Sequence, residues 1–302
     1  MATQTRKTLT SNSKAGKDLL AQINGEYEMS KSKGERKHQM FETIDNKIDN
    51  PEKVEKYLRS NLVKTNLEML DATLYNETME IVPQAKMSAY EDIAKKIKAA
   101  MENDYEEMEL DKLKRRVVSH FNRYGCTVVM EEGFDRNRKV PKLITINPRS
   151  IYPDHDYLSY RRDRFLYIRT KYTKVQLISL GVSEADIKKL DITHRDTEDI
   201  DADRRGVSTI EVNTDGNPSY TMFWGFTYFN GKPYSVLVDD GFSVLAIAEE
   251  LKAVTEEEKA DPSLIKFPYV VFRAEEVEGD WFGYNDVELL IDKQDTEAEL
   301  LN

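Results

Sequence analysis

Two periods divide this chain. Between residue 50 and residue 124 apolar side chains return every three to four positions, as on one face of a helix. From Gly125 onward they come in short β-branched and aromatic runs bounded by turn residues. Asn50, Pro51 and Glu52 have the chemistry of a helix start, and Val54, Leu58, Leu62, Leu67, Leu70 and Leu74 predict a helix reaching Asn76. Pro83 breaks that pattern. Ser88 with Glu91 predicts a second helix striped by Ile93, Ile97 and Met101. Leu113, Val117 and Phe121 predict a third, Leu110 to Asn122, stopped at Tyr124-Gly125. The residues before 50 show neither period. In the first forty, Arg6, Lys7, Lys14, Lys17, Lys31, Lys33, Arg36 and Lys37 outnumber Asp18, Glu26, Glu28 and Glu35, and few apolar residues accompany Leu19, Leu20 and Ile23. Residues 1–49 are therefore expected to be a mobile basic arm with one short helix at most.

Past Gly125 the expected elements are mostly strands. Cys126 to Met130 and Lys142 to Ile146 flank a charged turn, Glu132 to Arg138, and Asn147 to Ser150 turns into Ile151-Tyr152-Pro153. Phe165 to Tyr172, Thr209 to Val212, Tyr220 to Tyr228, Tyr234 to Val238 and Ser243 to Ala248 follow. Asn230-Gly231 and Asp239-Asp240-Gly241 mark tight turns among them. Thr173 to Leu190 reads as a helical insert, interrupted at Gly181 and recapped at Ser183. Near the end, Phe267 to Phe272 is an apolar strand, and Gly279-Asp280-Trp281-Phe282-Gly283 a tight turn around two aromatics. Asn285 with Glu288 has N-cap spacing, and Val287, Leu290, Ile291, Gln294, Ala298 and Leu301 share one face of the helix it opens. The expected class is α+β: N-terminal helices, then a mixed, mainly antiparallel β domain, then a C-terminal helix. The divisions are 1–49, 50–124, 125–275 and 276–302.

Composition narrows the function classes. Hydrophobic residues at 39% with sixteen Tyr and eleven Phe indicate a folded core rather than a disordered chain. No apolar run is long enough to cross a bilayer, and the N-terminus has no hydrophobic signal region. The single Cys126 excludes an intramolecular disulfide and reads as a buried hydrophobe. A net charge of −11 argues against a conventional duplex-DNA binder, which presents a basic face.

Residues with catalytic or metal-binding chemistry are few. Asp154-His155-Asp156, with Asp163 near, has the donors of a metal-dependent nuclease. In an extended segment, however, only Asp154 and Asp156 share a side, and Pro153 suggests a turn in which Asp serves the backbone. Asp196 to Asp203 lacks the spacing of a calcium loop. His38, His120 and His194 have no partner at ligand spacing, and His120 is expected at the polar margin of its helix. No phosphate-binding glycine loop occurs. No catalytic, cofactor-binding or metal-binding residue is assigned, and no cofactor.

Two segments together resemble the portal, or head–tail connector, proteins of tailed bacteriophages. The first is Phe267-Pro268-Tyr269, Gly279-Asp280-Trp281-Phe282-Gly283, Leu290-Ile291-Asp292-Lys293-Gln294-Asp295 and Leu300-Leu301-Asn302. That family runs from a Pro-aromatic strand through a Gly-Asp-aromatic-Gly segment into a stem helix with a Gln-Asp core. The second is Tyr124-Gly125 followed by a hairpin that closes on Pro148-Arg149-Ser150-Ile151-Tyr152-Pro153-Asp154. The resemblance spans residues 50–302 and is strongest at the C-terminal end.

The resemblance implies a wing-like β domain, a stem helix and a dodecameric ring at the capsid vertex. Duplex DNA would pass through the ring without sequence recognition, for which acidic walls are suited. The implied partners are other copies of the chain, the major capsid and scaffold proteins, the terminase large subunit and head-completion or adaptor proteins. The implied setting is the virion, assembled in the bacterial cytoplasm, with no membrane and no bond chemistry. Trp281, Phe282, Leu290, Gln294 and Leu301 are the residues expected to pack the stem or join neighbouring subunits; intramolecular core is the alternative for all five. A portal stem continues beyond the point matching Asn302, so the last helix is expected to lack a mate for its apolar stripe. A phage adaptor or minor head protein, and a metal-dependent nuclease, are the other classes the sequence leaves open.

Overall fold

The structure is a computed structural model, and it describes residues 9, 13–49, 62–75, 90–135, 138–156, 163–190, 219–253, 255–261, 264–277, 280–288, 290–291 and 293. In chain order the helices are α1 (Lys14–Asp49), α2 (Leu62–Tyr75), α3 (Glu91–Glu107), α4 (Leu110–Tyr124), α5 (Lys174–Ser179), α6 (Glu184–Ile187) and α7 (Glu256–Ala260). The strands are β1 (Cys126–Asp135), β2 (Val140–Ile146), β3 (Ile151–Pro153), β4 (Phe165–Thr173), β5 (Ser219–Phe229), β6 (Lys232–Asp239), β7 (Leu245–Glu250), β8 (Tyr269–Arg273), β9 (Glu275–Val277) and β10 (Asp280–Tyr284). A further helix opens at residue 286. Helices precede antiparallel sheets, so the fold is α+β. Among the described residues, no helix is long and apolar enough to cross a membrane.

The chain forms two compact units. The first comprises Met1–Phe41, Arg149–Pro268 and Val277–Trp281; the second comprises Glu42–Pro148, Tyr269–Glu276 and Phe282–Asn302. The expected domain 125–275 is thus divided. The β1–β2 hairpin belongs with the helices that precede it, and β8 returns to pair with β1 over Cys126 to Met130.

In the first unit a five-stranded meander runs β3-β4-β5-β6-β7. Asn230 and Gly231, both at positive φ, close β5 onto β6, as their turn chemistry predicts. The sheet has two apolar faces. Against one, Phe165, Tyr167, Phe223, Val236, Val238 and Leu245 pack with Leu19, Leu20 and Ile23 of α1. Against the other, Tyr220, Met222, Leu237 and Val244 pack with Leu177, Val182, Ile187 and Leu190. The helical insert begins at Thr173 with a capping box to Gln176 and restarts at Ser183, whose hydroxyl accepts from Asp186 N.

The largest correction falls on the N-terminal arm. From Lys14 it is a helix, not a mobile basic tail. Its buried positions include Gly16, Leu20, Ile23, Ser30, Gly34, Phe41 and Ile44, which follow the helical period. Small residues occupy several of them, so the stripe carries little hydrophobicity in the sequence. Leu19 and Ile23 are nonetheless fully buried and Leu20 nearly so, and each contributes about 1.5–3 kcal/mol by leaving water.

In the second unit the sheet order is β2-β1-β8, with α4 packed on β1 and β2. β1 runs on to Asp135 through a bulge between Glu131 and Gly133, where a charged turn was expected. The α4 C-terminus ends as expected: Gly125 takes a left-handed φ of 73° and its N–H donates to Phe121 O at 2.8 Å. Two other expected helices form, but much of each apolar stripe is exposed. Leu70 and Leu74 of α2 are exposed beside buried Leu67, and Ile93, Ile97 and Met101 of α3 are exposed too. The expected helix start at Asn50–Glu52, Ser88 and the strand Thr209 to Val212 lie outside the described residues.

Candidate functional site

In the second unit the end of α4 and the start of the last helix meet at Gly125 and Asn285. The Asn285 side chain serves two helices. Its Nδ2 donates to the carbonyls of Asn122 and Arg123, each at 2.9 Å, which are open acceptors of the last α4 turn. Its Oδ1 accepts from Val287 N at 3.0 Å and so caps the helix opening at residue 286. A Cβ on Gly125 would lie 2.8 Å from Asn285 Cβ, so only glycine allows this approach at this φ. Next door, Tyr124 is buried and its hydroxyl donates to Asp45 Oδ1 at 2.8 Å, while Arg123 Nε pairs with the same carboxylate at 2.8 Å. The N-cap at Asn285 was legible; its second role, and the part of Asp45, were not.

Replacing Asn285 by alanine is expected to cost about 2–3 kcal/mol, since it removes a cap and leaves two carbonyls without their donor. The urea midpoint should fall. Asn285→Ser, which keeps a capping oxygen, should recover roughly half of that loss.

The candidate interface residues are differently placed from one another. Trp281 is 1% exposed, and its Nε1 donates to Asp163 Oδ2 at 3.0 Å within the first unit. Phe282 is 0% exposed, in the second unit. Neither offers side-chain area to a second copy in this conformation. Both lie in strand β10, not in the tight turn expected there, and Gly283 sits at a φ of 78° beside the Glu275 carbonyl. Leu290 is half-buried, and Gln294 and Leu301 lie outside the described residues. Val287 and Ile291 are buried, so the first turns of that helix already have a mate inside the chain, contrary to the expectation of an unpartnered stripe.

In the first unit, the Asp154-His155-Asp156 segment is built as an ion-paired turn. Asp154 is 0% exposed; Arg164 grips it through Nε at 2.7 Å and Nη2 at 2.8 Å. The backbone N–H groups of Asp156 and Arg164 add two more bonds at 3.2 Å, so both carboxylate oxygens are committed. Asp156 pairs with Lys33 of α1 and with Arg164, which hold its carboxyl below the usual range, the Lys33 hydrogen bond first. Asp163 takes the Trp281 indole instead of joining Asp154. Among the described residues no three His, Cys, Asp or Glu side chains converge as metal ligands do. His120 is not at a polar margin: its Nδ1 is shut off from solvent, and burial, ahead of the repulsion from Arg123 and Arg116, holds its pKa down to about 4.

Set against models of known protein families and against curated proteins, the chain matches none of them.

Proposed function

We propose that the chain is a subunit, or part of a subunit, of a bacteriophage portal ring. It would be a structural head–tail connector at the capsid vertex through which DNA is packaged and ejected. One observation supports this most. The two segments that resemble the family, far apart in sequence, close on each other at Gly125 and Asn285, so that the hairpin, β8 and the last helix form one compact unit. A portal must fix the direction of its stem helix, and a helix start tied by side chain to another helix end does that. The clamped Asp154 favours a structural role over a nuclease, because a carboxylate bound by Arg164 and two backbone N–H groups has no lone pair directed at a metal.

Native mass spectrometry and negative-stain imaging of the purified chain, alone and with capsid and scaffold proteins, test the proposal. Closed rings with a central channel are expected, with no DNA cleavage in magnesium or manganese. A chain that stays monomeric and never enters a capsid vertex would contradict it. Metal-dependent cleavage lost in Asp154→Asn would favour the nuclease. Asparagine is the better variant than alanine, since it keeps acceptors for the turn.

A further inference from the structure

We propose that His38 and His155 form an acid-sensitive latch that holds residues 30–41 of α1 against β3 at neutral pH and releases them under mildly acidic conditions. The latch lies wholly in the first unit and does not depend on the portal role.

Its geometry centres on Gly34. A Cβ there would lie 2.9 Å from His155 Nε2 and 3.4 Å from His38 Cδ2, so two imidazoles converge over the one residue with no side chain. His38 stacks on Tyr152, ring centroids 5.2 Å apart and 20° from parallel. It also hydrogen-bonds to the backbone of Ile151 and Arg149, fastening α1 directly to β3. The Nε2 atoms of both histidines are sealed from solvent.

Burial outweighs the charges around the pair: Asp280, Asp154 and Asp156 favour an imidazolium on His155 and Lys33 opposes it, while His155 and Arg149 oppose one on His38. Lys33 and Lys37 lie on α1, and Arg149 in the turn that precedes β3. Asp154 and Asp156 follow β3, Arg164 precedes β4, and Asp280 opens β10. Each of these carboxylates already answers a cation: Asp154 answers Arg164, Asp156 answers Lys33 and Arg164, and Asp280 answers Lys37 at 3.2 Å. Protonating both rings would add two positive charges at a site where four cations already face three carboxylates.

The direction of the pH effect follows. Burial first, then repulsion from His155, holds His38 down to about 4, and burial likewise lowers His155. Once undocked, His38 titrates near 6.5, so between 6.5 and 4 the released segment binds a proton that the docked one refuses. The hold is therefore complete above 6.5 and is lost progressively as the pH falls towards 4. His38 alone moves the equilibrium roughly thirty-fold towards release at about pH 5, and His155 adds to this. Glu26, higher on α1, acts in the opposite sense. Burial raises its carboxyl, which accepts from Tyr167, Gln22 and Thr227, so acid strengthens its docking. The helix is expected to loosen at one end and hold at the other.

Hydrogen exchange at about pH 7.5, about pH 6 and about pH 5, corrected for intrinsic rates, is the test. Residues 30–41 should lose at least roughly thirty-fold protection while residues 165–173 and 219–229 keep theirs. The variant His38→Gln with His155→Gln should show no such step. If it does not fold, the wild-type imidazole NMR signals serve instead: both should titrate well below the usual histidine range, over the interval in which protection is lost. Unchanged protection at about pH 5, simultaneous loss of the strands, or the same step in the glutamine variant would each overturn the latch.

Discussion

Replacing Gly225 by alanine is expected to cost on the order of 3 kcal/mol or more, the scale of forced overpacking in a rigid core. Gly225 lies mid-strand in β5, paired with Tyr167 of β4 on one side and Val236 of β6 on the other. A Cβ there would press into the Leu166 carbonyl oxygen and the Tyr167 ring, with Tyr167 Cα only 3.0 Å away. The carbonyl and the Cα are backbone of a hydrogen-bonded neighbour, which cannot retreat without breaking the ladder. The Tyr167 ring cannot swing aside, being fully buried with its hydroxyl bound to Glu26. Thermal unfolding followed by circular dichroism should show a Tm lower by roughly 10 °C. Gly25→Ala is the matched control. It is helical and exposed, a Cβ there meets nothing, and a gain of up to about 1 kcal/mol is expected. A parental Tm for Gly225→Ala would mean that β4 and β5 do not pack as described.

Trp281→Ala is expected to cost about 3–5 kcal/mol, the range for deleting a large buried aromatic. Two terms combine. Removal of a side chain that is 1% exposed leaves a large cavity, and Asp163, itself 2% exposed, loses the indole N–H. Trp281→Phe separates them, because it keeps much of the volume and removes the donor; about 1–3 kcal/mol is expected. Urea denaturation is the measurement, with Trp224, the other of the 2 tryptophans, as the fluorescent reporter. The same variants decide the role of Trp281 in assembly. A Trp281→Ala protein with parental stability but without rings would make the residue an interface anchor; loss of stability in the monomer assigns it to the core.

How far the sequence was legible depends on the distance over which each decision is made. The stop of α4 at Gly125, the β5–β6 turn at Asn230-Gly231, and the caps at Thr173, Ser183 and Asn285 were all readable. Each is decided by a backbone preference or a side-chain bond reaching no more than four residues. The β-branched and aromatic runs of β4, β5 and β6 were readable for a similar reason: a strand buried on both faces is apolar along its length.

α1 is decided over a longer distance. Its stripe contains Gly16, Ser30 and Gly34, residues that lower hydrophobicity and helix propensity alike. At Gly34 a side chain would run into the His155 and His38 rings, and that closeness is a property of the assembled unit. The reverse holds for Ile93, Ile97 and Met101, which have a helical stripe in sequence and stay exposed in α3. A period indicates which face is apolar, not what covers it.

The candidate site follows the same division. The sequence alone determined the α+β class, most strand positions and the cap at Asn285, because these follow from local periods and local hydrogen bonds. Only the tertiary structure decided that Arg164 closes on Asp154, that Trp281 reaches Asp163, and that Asn285 ties off α4. It also brought His38 to His155. Apart from the Arg164 clamp, these partners lie far apart in sequence, and all four pairings depend on where strands and helices place side chains relative to one another. That placement is set by shared burial of apolar faces, which no single segment encodes.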